Sequence, residues 1–225
     1  MRLGPYLLGP NDTPESGIYT GDARELALAI PDESVDLIFT DPVYQNIDDY
    51  RWLAETAARV LKPNSSCLAL CGHEHLAKII SAMEKYLTYH WVCCLWQPGQ
   101  SGLIWYKSIM AKWKPAVWFS KGVPTSHVRR WFMDGVEGVQ SKSFHRWGQP
   151  IAWARWIDRI DARLIWEPFA GGGTVPAVCK MLGRRYLAFE IDPATAQDAR
   201  DRVQQTQPPL FVPEPQQMEL CEVMP

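Results

Sequence analysis

Nowhere in the 225 residues does an apolar run approach the roughly 20 residues that a membrane helix needs. The opening stretch, MRLGPYLLGPNDTP, has neither the long apolar segment nor the cleavage pattern of a secretory signal. Paired cysteines are missing too. Cys67, Cys71, Cys93, Cys94, Cys179 and Cys221 show no CxxC spacing and no neighbouring histidine pattern that would hold zinc. Cys67 and Cys71 fall in SCLALCG, an apolar run suited to a buried strand, so the cysteines read as reduced core thiols. Histidine is scarce, with five in all, and His73 and His75 straddle Glu74 at a spacing unlike a helical zinc pair. They read as loop and cap residues. The expectations are no metal, no membrane and a cytoplasmic location.

An excess of positive charge is also lacking, since the net formal charge is −2. Taken whole, that speaks against a polyanionic partner. Divided along the chain, it does not. Lys107 to Arg155 holds nine basic residues against Asp134 and Glu137, a local +7, while the remainder carries 14 basic and 23 acidic residues. Nine of the eleven tryptophans lie between Trp91 and Trp156. Phosphate attraction is short-ranged at cellular salt, so the basic, aromatic middle decides what can bind. With 47% hydrophobic and 21% charged residues, the chain can bury a core, and its length suits one α/β domain with a modest insertion.

What is present is an alternation of strand and helix signals. Gly17–Tyr19 is a short strand followed by an amphipathic stretch, Arg24–Ile30. Val35–Thr40 (VDLIFT) is a continuous apolar run of the kind a buried parallel strand shows. Asp48–Leu61 has helical spacing and stops at Lys62-Pro63-Asn64. Ser66–Leu70, Trp91–Trp96, Ala116–Ser120, Leu164–Trp166 and Tyr186–Ile191 read as strands. His75–Tyr86, Ile151–Ile160, the stretch from Thr174 to Leu182 and Pro193 to about Gln205 read as helices. The pattern predicts a doubly wound, mostly parallel sheet, with ligands beyond the carboxyl ends of the strands. Residues 1–205 form the expected domain, with an inserted basic region at about 97–143. Residues 206–225, with Pro208, Pro209, Pro213 and Pro215, form an expected flexible tail.

Two loops at strand ends carry the chemistry. Glu167-Pro168-Phe169-Ala170-Gly171-Gly172-Gly173-Thr174 lets the backbone approach a ligand without intervening Cβ atoms. Its spacing is not GxGxxG and no lysine follows, which excludes a P-loop. An acidic residue at the end of the next strand, Glu190, with Asp192 close by, suits a ribose with free hydroxyls. The other loop is Asp41-Pro42-Val43-Tyr44. Its carboxylate and the Pro42 carbonyl can each accept a hydrogen bond from an amine, and Tyr44 can stack on a planar ring. Alone, the first could be a tightly packed turn and the second a capped one.

Together and in this order they resemble the amino-group DNA methyltransferases of the beta class, in which a D/N/S-P-P-Y motif precedes D-P-F-x-G-x-G-T. DPVY stands at Asp41–Tyr44 and EPFAGGGT at Glu167–Thr174. The resemblance extends to IYTGDARELALAIPDESVDLIFTDPVY, VLKPNSSCLALCG, KPAVWFSKG, the stretch from Phe144 to Ile157 and GRRYLAFEIDPATAQDARDRV, about three quarters of the chain. It implies a methyltransferase of Rossmann-like type using S-adenosylmethionine. Asp41, Pro42 and Tyr44 would be catalytic. Asp22, Asp41, Glu167, Pro168, Phe169, Ala170, Gly171, Gly173, Thr174, Glu190 and Asp192 would hold the cofactor. Val43 and Glu167 depart from the family pattern: one loses the second proline and the other adds a methylene. Aspartate at the first motif position leans towards adenine, with cytosine as the alternative.

DNA is the expected partner. Lys107, Lys112, Lys114, Arg129 and Arg130 would contact phosphates, and Trp105, Trp113 or Trp131 would contact bases. His145 is placed near cofactor or DNA. A homodimer and an accompanying restriction enzyme are left open. Two rival readings are a methyltransferase of RNA or protein amines, and a DNA- and cofactor-binding protein that has lost catalysis through Val43.

Overall fold

Every central strand of this chain carries apolar residues at consecutive positions, so each must bury both faces, and a sheet between two helical layers is the solution. The computed structural model describes residues 16–97, 102–123, 132–138 and 156–207. Arg129, Arg130, Trp131, His145, most of the stretch from 144 to 157 and the tail from 208 lie outside these residues.

The strands are β1 (Gly17–Thr20), β2 (Val35–Thr40), β3 (Leu61–Leu70), β4 (Thr88–Trp96), β5 (Gly102–Ile104), β6 (Ile109–Ala111), β7 (Trp113–Ser120), β8 (Gly135–Glu137), β9 (Leu164–Glu167) and β10 (Arg185–Glu190). Eight form one sheet in the order β1-β10-β9-β2-β3-β7-β4-β8, and β5 and β6 form a separate hairpin. Only β7 runs against its neighbours; β1, β10, β9, β2 and β3 are mutually parallel, and β8 is parallel to β4. The mostly parallel, doubly wound expectation holds.

The helices are α1 (Ala23–Leu26), α2 (Ile47–Val60), α3 (Leu76–Met83), α4 (Thr174–Met181) and α5 (Pro193–Gln205). Alternate residues divide the core. Ile38, Cys67, Val117 and Trp166 face α1, α2 and α3, whereas Leu37, Phe39, Leu68, Trp118 and Ile165 face α4 and α5. The apolar stripe of α2, Tyr50, Leu53, Ala54, Ala57 and Val60, is wholly buried. Each large side chain in it contributes about 1.5–3 kcal/mol. Asp48 and Asp49 in the first turn complement the helix dipole. Asp192 caps α5 by accepting from the Thr195 N–H at 2.7 Å, and Pro193 opens that helix with its preset φ.

Two details differ from the sequence reading. Lys62-Pro63-Asn64 lies inside β3 and not between elements: pairing with β2 shifts between Val35 and Leu37, and Asn64 takes a left-handed φ of 64°. A proline has no N–H for the ladder, so the strand bulges around it. The basic middle also contains β5, β6 and β8, each three residues long, too short for a period to show.

Candidate active site

Strand order reverses between β9 and β2: the chain leaves β9 for β10 on one side and β2 for β3 on the other. The crevice outside the carboxyl ends at such a switch is where open α/β sheets bind ligands. Both motif loops begin here. Ile38 is in register with Trp166, β2 ends at Thr40 and β9 at Glu167, so Asp41 and Pro168 leave neighbouring strands side by side. They open onto a single cleft of about 700 Å³, whose walls include Asp22, Asp41, Pro42, Val43, Tyr44, Pro168, Phe169, Gly171 and Glu190.

The glycine turn divides its labour. Gly171 has φ +48°, lines the cleft, and a Cβ built on it would meet no atom within 4 Å. Gly173 has φ +70°, and a Cβ there would come within 2.8 Å of Ala199 Cβ on α5. The first glycine keeps space open for a ligand, and the second lets a helix pack close. Beneath the turn the buried Arg202 donates to the Gly172 carbonyl at 3.1 Å and to Thr174 Oγ1 at 2.8 Å. Glu190, at the end of β10, accepts the Gly171 N–H on Oε2 at 2.8 Å and the Asp192 N–H on Oε1 at 3.0 Å. It therefore shapes the turn as well as facing the cleft.

Glu167 is 4% exposed, and its Oε2 has no hydrogen-bond partner among the described residues. Burial pushes its carboxyl well above the usual range; Asp41 and Glu190 add to the rise and Arg202 opposes it. Burial thus favours the neutral acid at Glu167. Across the cleft, the Tyr44 hydroxyl accepts from Lys114 Nζ at 3.3 Å, and the nearby Asp41 carboxylate acts on it electrostatically. Burial, then Asp41, raises the Tyr44 hydroxyl well above its ordinary value. The Lys114 cation also lies 5.3 Å from the Tyr44 ring centre.

The structure thus brings Asp22, Asp41, Pro42, Tyr44, Pro168, Phe169, Gly171 and Glu190 to one place. Glu167, Ala170 and Thr174 are buried behind the surface. Asp192 caps α5 and is not part of the cleft wall. Tyr44 is half-buried, with one edge against Gly72. Lys114, read as a phosphate contact, belongs to the cleft itself, whereas Lys107 and Lys112 line a separate pocket under the hairpin. His73 sits within 2.6 Å of the Trp113 carbonyl, and His75 makes no side-chain cap. Sequence reasoning missed Arg24 and Asp49, which pair at 2.7 Å on the cleft wall, and Arg202. An acid–base pair spaced 25 residues apart and one of two arginines on a polar helix leave no local pattern. Among the described residues no group of acidic, histidine or cysteine side chains could hold a metal, and no helix is long and apolar enough to cross a membrane.

With this geometry, the architecture is that of the S-adenosylmethionine-dependent methyltransferases. A family model described as Methyltransferase domain matches residues 9–69. Type II methyltransferase M.BamHI of Bacillus amyloliquefaciens is 25% identical over 251 residues, covering 85% of this chain; the chain spans 57% of that enzyme's length. Among solved structures, the PvuII DNA methyltransferase (cytosine-N4-specific) superposes with a TM-score of 0.74 at 18% identity, covering 85% of this chain and 87% of that one. The M1.HpyAVI–SAM complex does so with a TM-score of 0.68 at 21% identity, covering 83% and 98%. The resemblance to the amino-group DNA methyltransferases, first read from two motifs, is carried by sequence and fold alike.

Proposed function

We propose that the protein is an S-adenosylmethionine-dependent DNA methyltransferase that modifies the exocyclic amine of a base, adenine in the first instance. The observation that carries this reading is the single cleft at the strand-order switch, walled by Asp41–Tyr44 on one side and the glycine turn on the other.

The residues fit the cofactor. Gly171 leaves open a space that any side chain would narrow, Phe169 and Ile191 offer apolar flanks, and Asp22 and Glu190 set carboxylates at the cleft wall for hydroxyl or amino groups. Bound there, S-adenosylmethionine supplies an electrophilic methyl group. The chain's own part begins with the amine, a poor nucleophile while its lone pair is delocalised into the ring. Accepting its two hydrogens on the Asp41 carboxylate and the Pro42 carbonyl favours a tetrahedral nitrogen with a localised pair. Positive charge grows on that nitrogen as the new bond forms, so a fixed carboxylate stabilises the transition state more than the ground state. Burial favours the uncharged form of Glu167, which lessens its competition for that charge. Tyr44, anchored by Lys114 at its hydroxyl, offers a preset ring face for the base. Stacking and charge-assisted hydrogen bonds, about 1–3 kcal/mol each, offset the few kcal/mol needed to extrude a base.

Aspartate at position 41 favours adenine within the resembling family. The cytosine-N4-specific PvuII enzyme among the similar structures supports cytosine as the second reading. The test is to incubate protein, DNA and cofactor, digest to nucleosides and identify the methylated one by mass. 6-Methyladenine is expected; 4-methylcytosine selects the second reading, and methylation of RNA alone would end both.

A further inference from the structure

A second pocket, of about 450 Å³, lies under the β5–β6 hairpin and shares no lining residue with the cleft. Its composition is specific. Trp96 and Trp113 stand opposite each other on β4 and β7 and form an indole surface. Ile104, Ile109 and Met110 of the hairpin face it, and its charged lining is Lys107, Lys112 and Glu74. Neither lysine is in an ion pair among the described residues. His73 packs edge-on against Trp113, with ring centres 4.5 Å apart, and holds that wall in place.

Its position is as informative as its lining. Trp113 precedes Lys114, which reaches Tyr44, and His73 follows Gly72, against which the Tyr44 ring lies. Residues adjacent in sequence thus border the two cavities. An aromatic surface lined by two cations against the single carboxylate of Glu74 suits a base and its phosphate, and the volume is of the order that a small-molecule site has.

We propose that the pocket under β5–β6 is a nucleotide subsite that takes the base and phosphate next to the target nucleotide. This rests on the reading of the cleft as the site that receives a base from DNA. The flanking base lies on Trp96 and Trp113 while Lys107 and Lys112 engage its phosphates. The hairpin tip, where Trp105 is 81% and Tyr106 76% exposed, then faces the strand beyond.

The test uses the full chain and short oligonucleotides containing the methylated position, once the nucleoside assay and sequencing have located it. Replacing both lysines (Lys107→Ala with Lys112→Ala) is expected to weaken binding about tenfold at physiological salt and to flatten the salt dependence by about two released counterions. Trp96, 42% exposed, is changed to alanine in a second variant; this is expected to weaken binding about tenfold at unchanged salt dependence. An abasic residue beside the target should weaken wild-type binding by a similar factor and cost the Trp96→Ala variant nothing further. Equal losses in both proteins, or variants that bind as wild type does, overturn the subsite, and continued methylation by the wild type then leaves the parent reading standing. A wild-type chain that neither binds nor methylates DNA overturns both.

Discussion

The Lys114 ammonium sits 3.3 Å from the Tyr44 hydroxyl oxygen, and the charge of the Asp41 carboxylate bears on the same hydroxyl. Residues 70 positions apart thus fix the orientation of one aromatic ring. Burial lowers the Lys114 ammonium below its usual range while Asp41 works against that shift.

If this chain of contacts presents Tyr44 to the base, Lys114→Met lowers kcat/KM for DNA by about 10–100-fold, a loss within the range typical of a misplaced reacting group. Cofactor affinity stays within about twofold, and Lys114→Arg recovers part of the loss. As pH rises through the depressed lysine pKa the ammonium is lost, so wild-type activity should fall on an alkaline limb that Lys114→Met lacks. A pH–rate profile of both proteins decides the matter, and identical alkaline limbs would remove Lys114 from this role.

Asp41→Asn keeps the shape of the cleft but trades the anionic acceptor for a neutral amide. The expected loss in kcat is about 10²–10³-fold, the scale seen when one transition-state electrostatic contact is removed. Calorimetric titration of the cofactor should change little. Retained turnover would mean that another group accepts the amine hydrogens.

The two constrained glycines should fail differently. Gly173→Ala drives a methyl group to 2.8 Å from Ala199 Cβ and 2.9 Å from its Cα in a left-handed backbone. A loss of about 2–4 kcal/mol is expected in urea unfolding, from overpacking and φ strain together. Gly171→Ala meets no neighbour, so its stability cost should be only about 1 kcal/mol, while cofactor affinity drops because the new methyl group projects into the cleft. Measuring unfolding and cofactor binding on the same two samples separates these effects.

Glu167 gives stability a definite pH dependence. Its folded-state pKa is raised, so the native protein binds more protons than the unfolded chain from about pH 4.5 upward, and stability falls as pH climbs towards the folded pKa. The slope from this one group is at most about 1.4 kcal/mol per pH unit. Glu167→Gln abolishes that slope, so its advantage over wild type should widen between mildly acidic and neutral pH. Parallel denaturation curves with a constant offset would show that Glu167 ionises freely in the fold.

Much of this architecture was legible in advance because the strands are buried on both faces. VDLIFT and the strand closing on Glu190 announce themselves by composition, and the adjacent glycines and the Asp-Pro pair mark their ends. The shared cleft followed from strand order, which apolar runs do not encode but ordered motifs imply. The place of Lys114 in the cleft was not foreseen because strand β7 was read from Ala116; two lysines flank Trp113, and their charge hid the strand's first residues. Arg202 was invisible for a related reason. It is a buried charge on a helix of mostly polar residues, and its partners are a backbone carbonyl and a hydroxyl almost 30 positions earlier.

The reversed direction of β7 has an evolutionary corollary. Because this strand begins where its neighbours finish, the link from β4 into it emerges beside the reactive cleft and never has to cross the sheet. Residues can be added to or removed from that link without altering any buried pairing. If the protein acts as proposed, the scaffold separates what performs the chemistry from what chooses the sequence, and new target preferences can arise by rewriting that link while the reaction stays untouched.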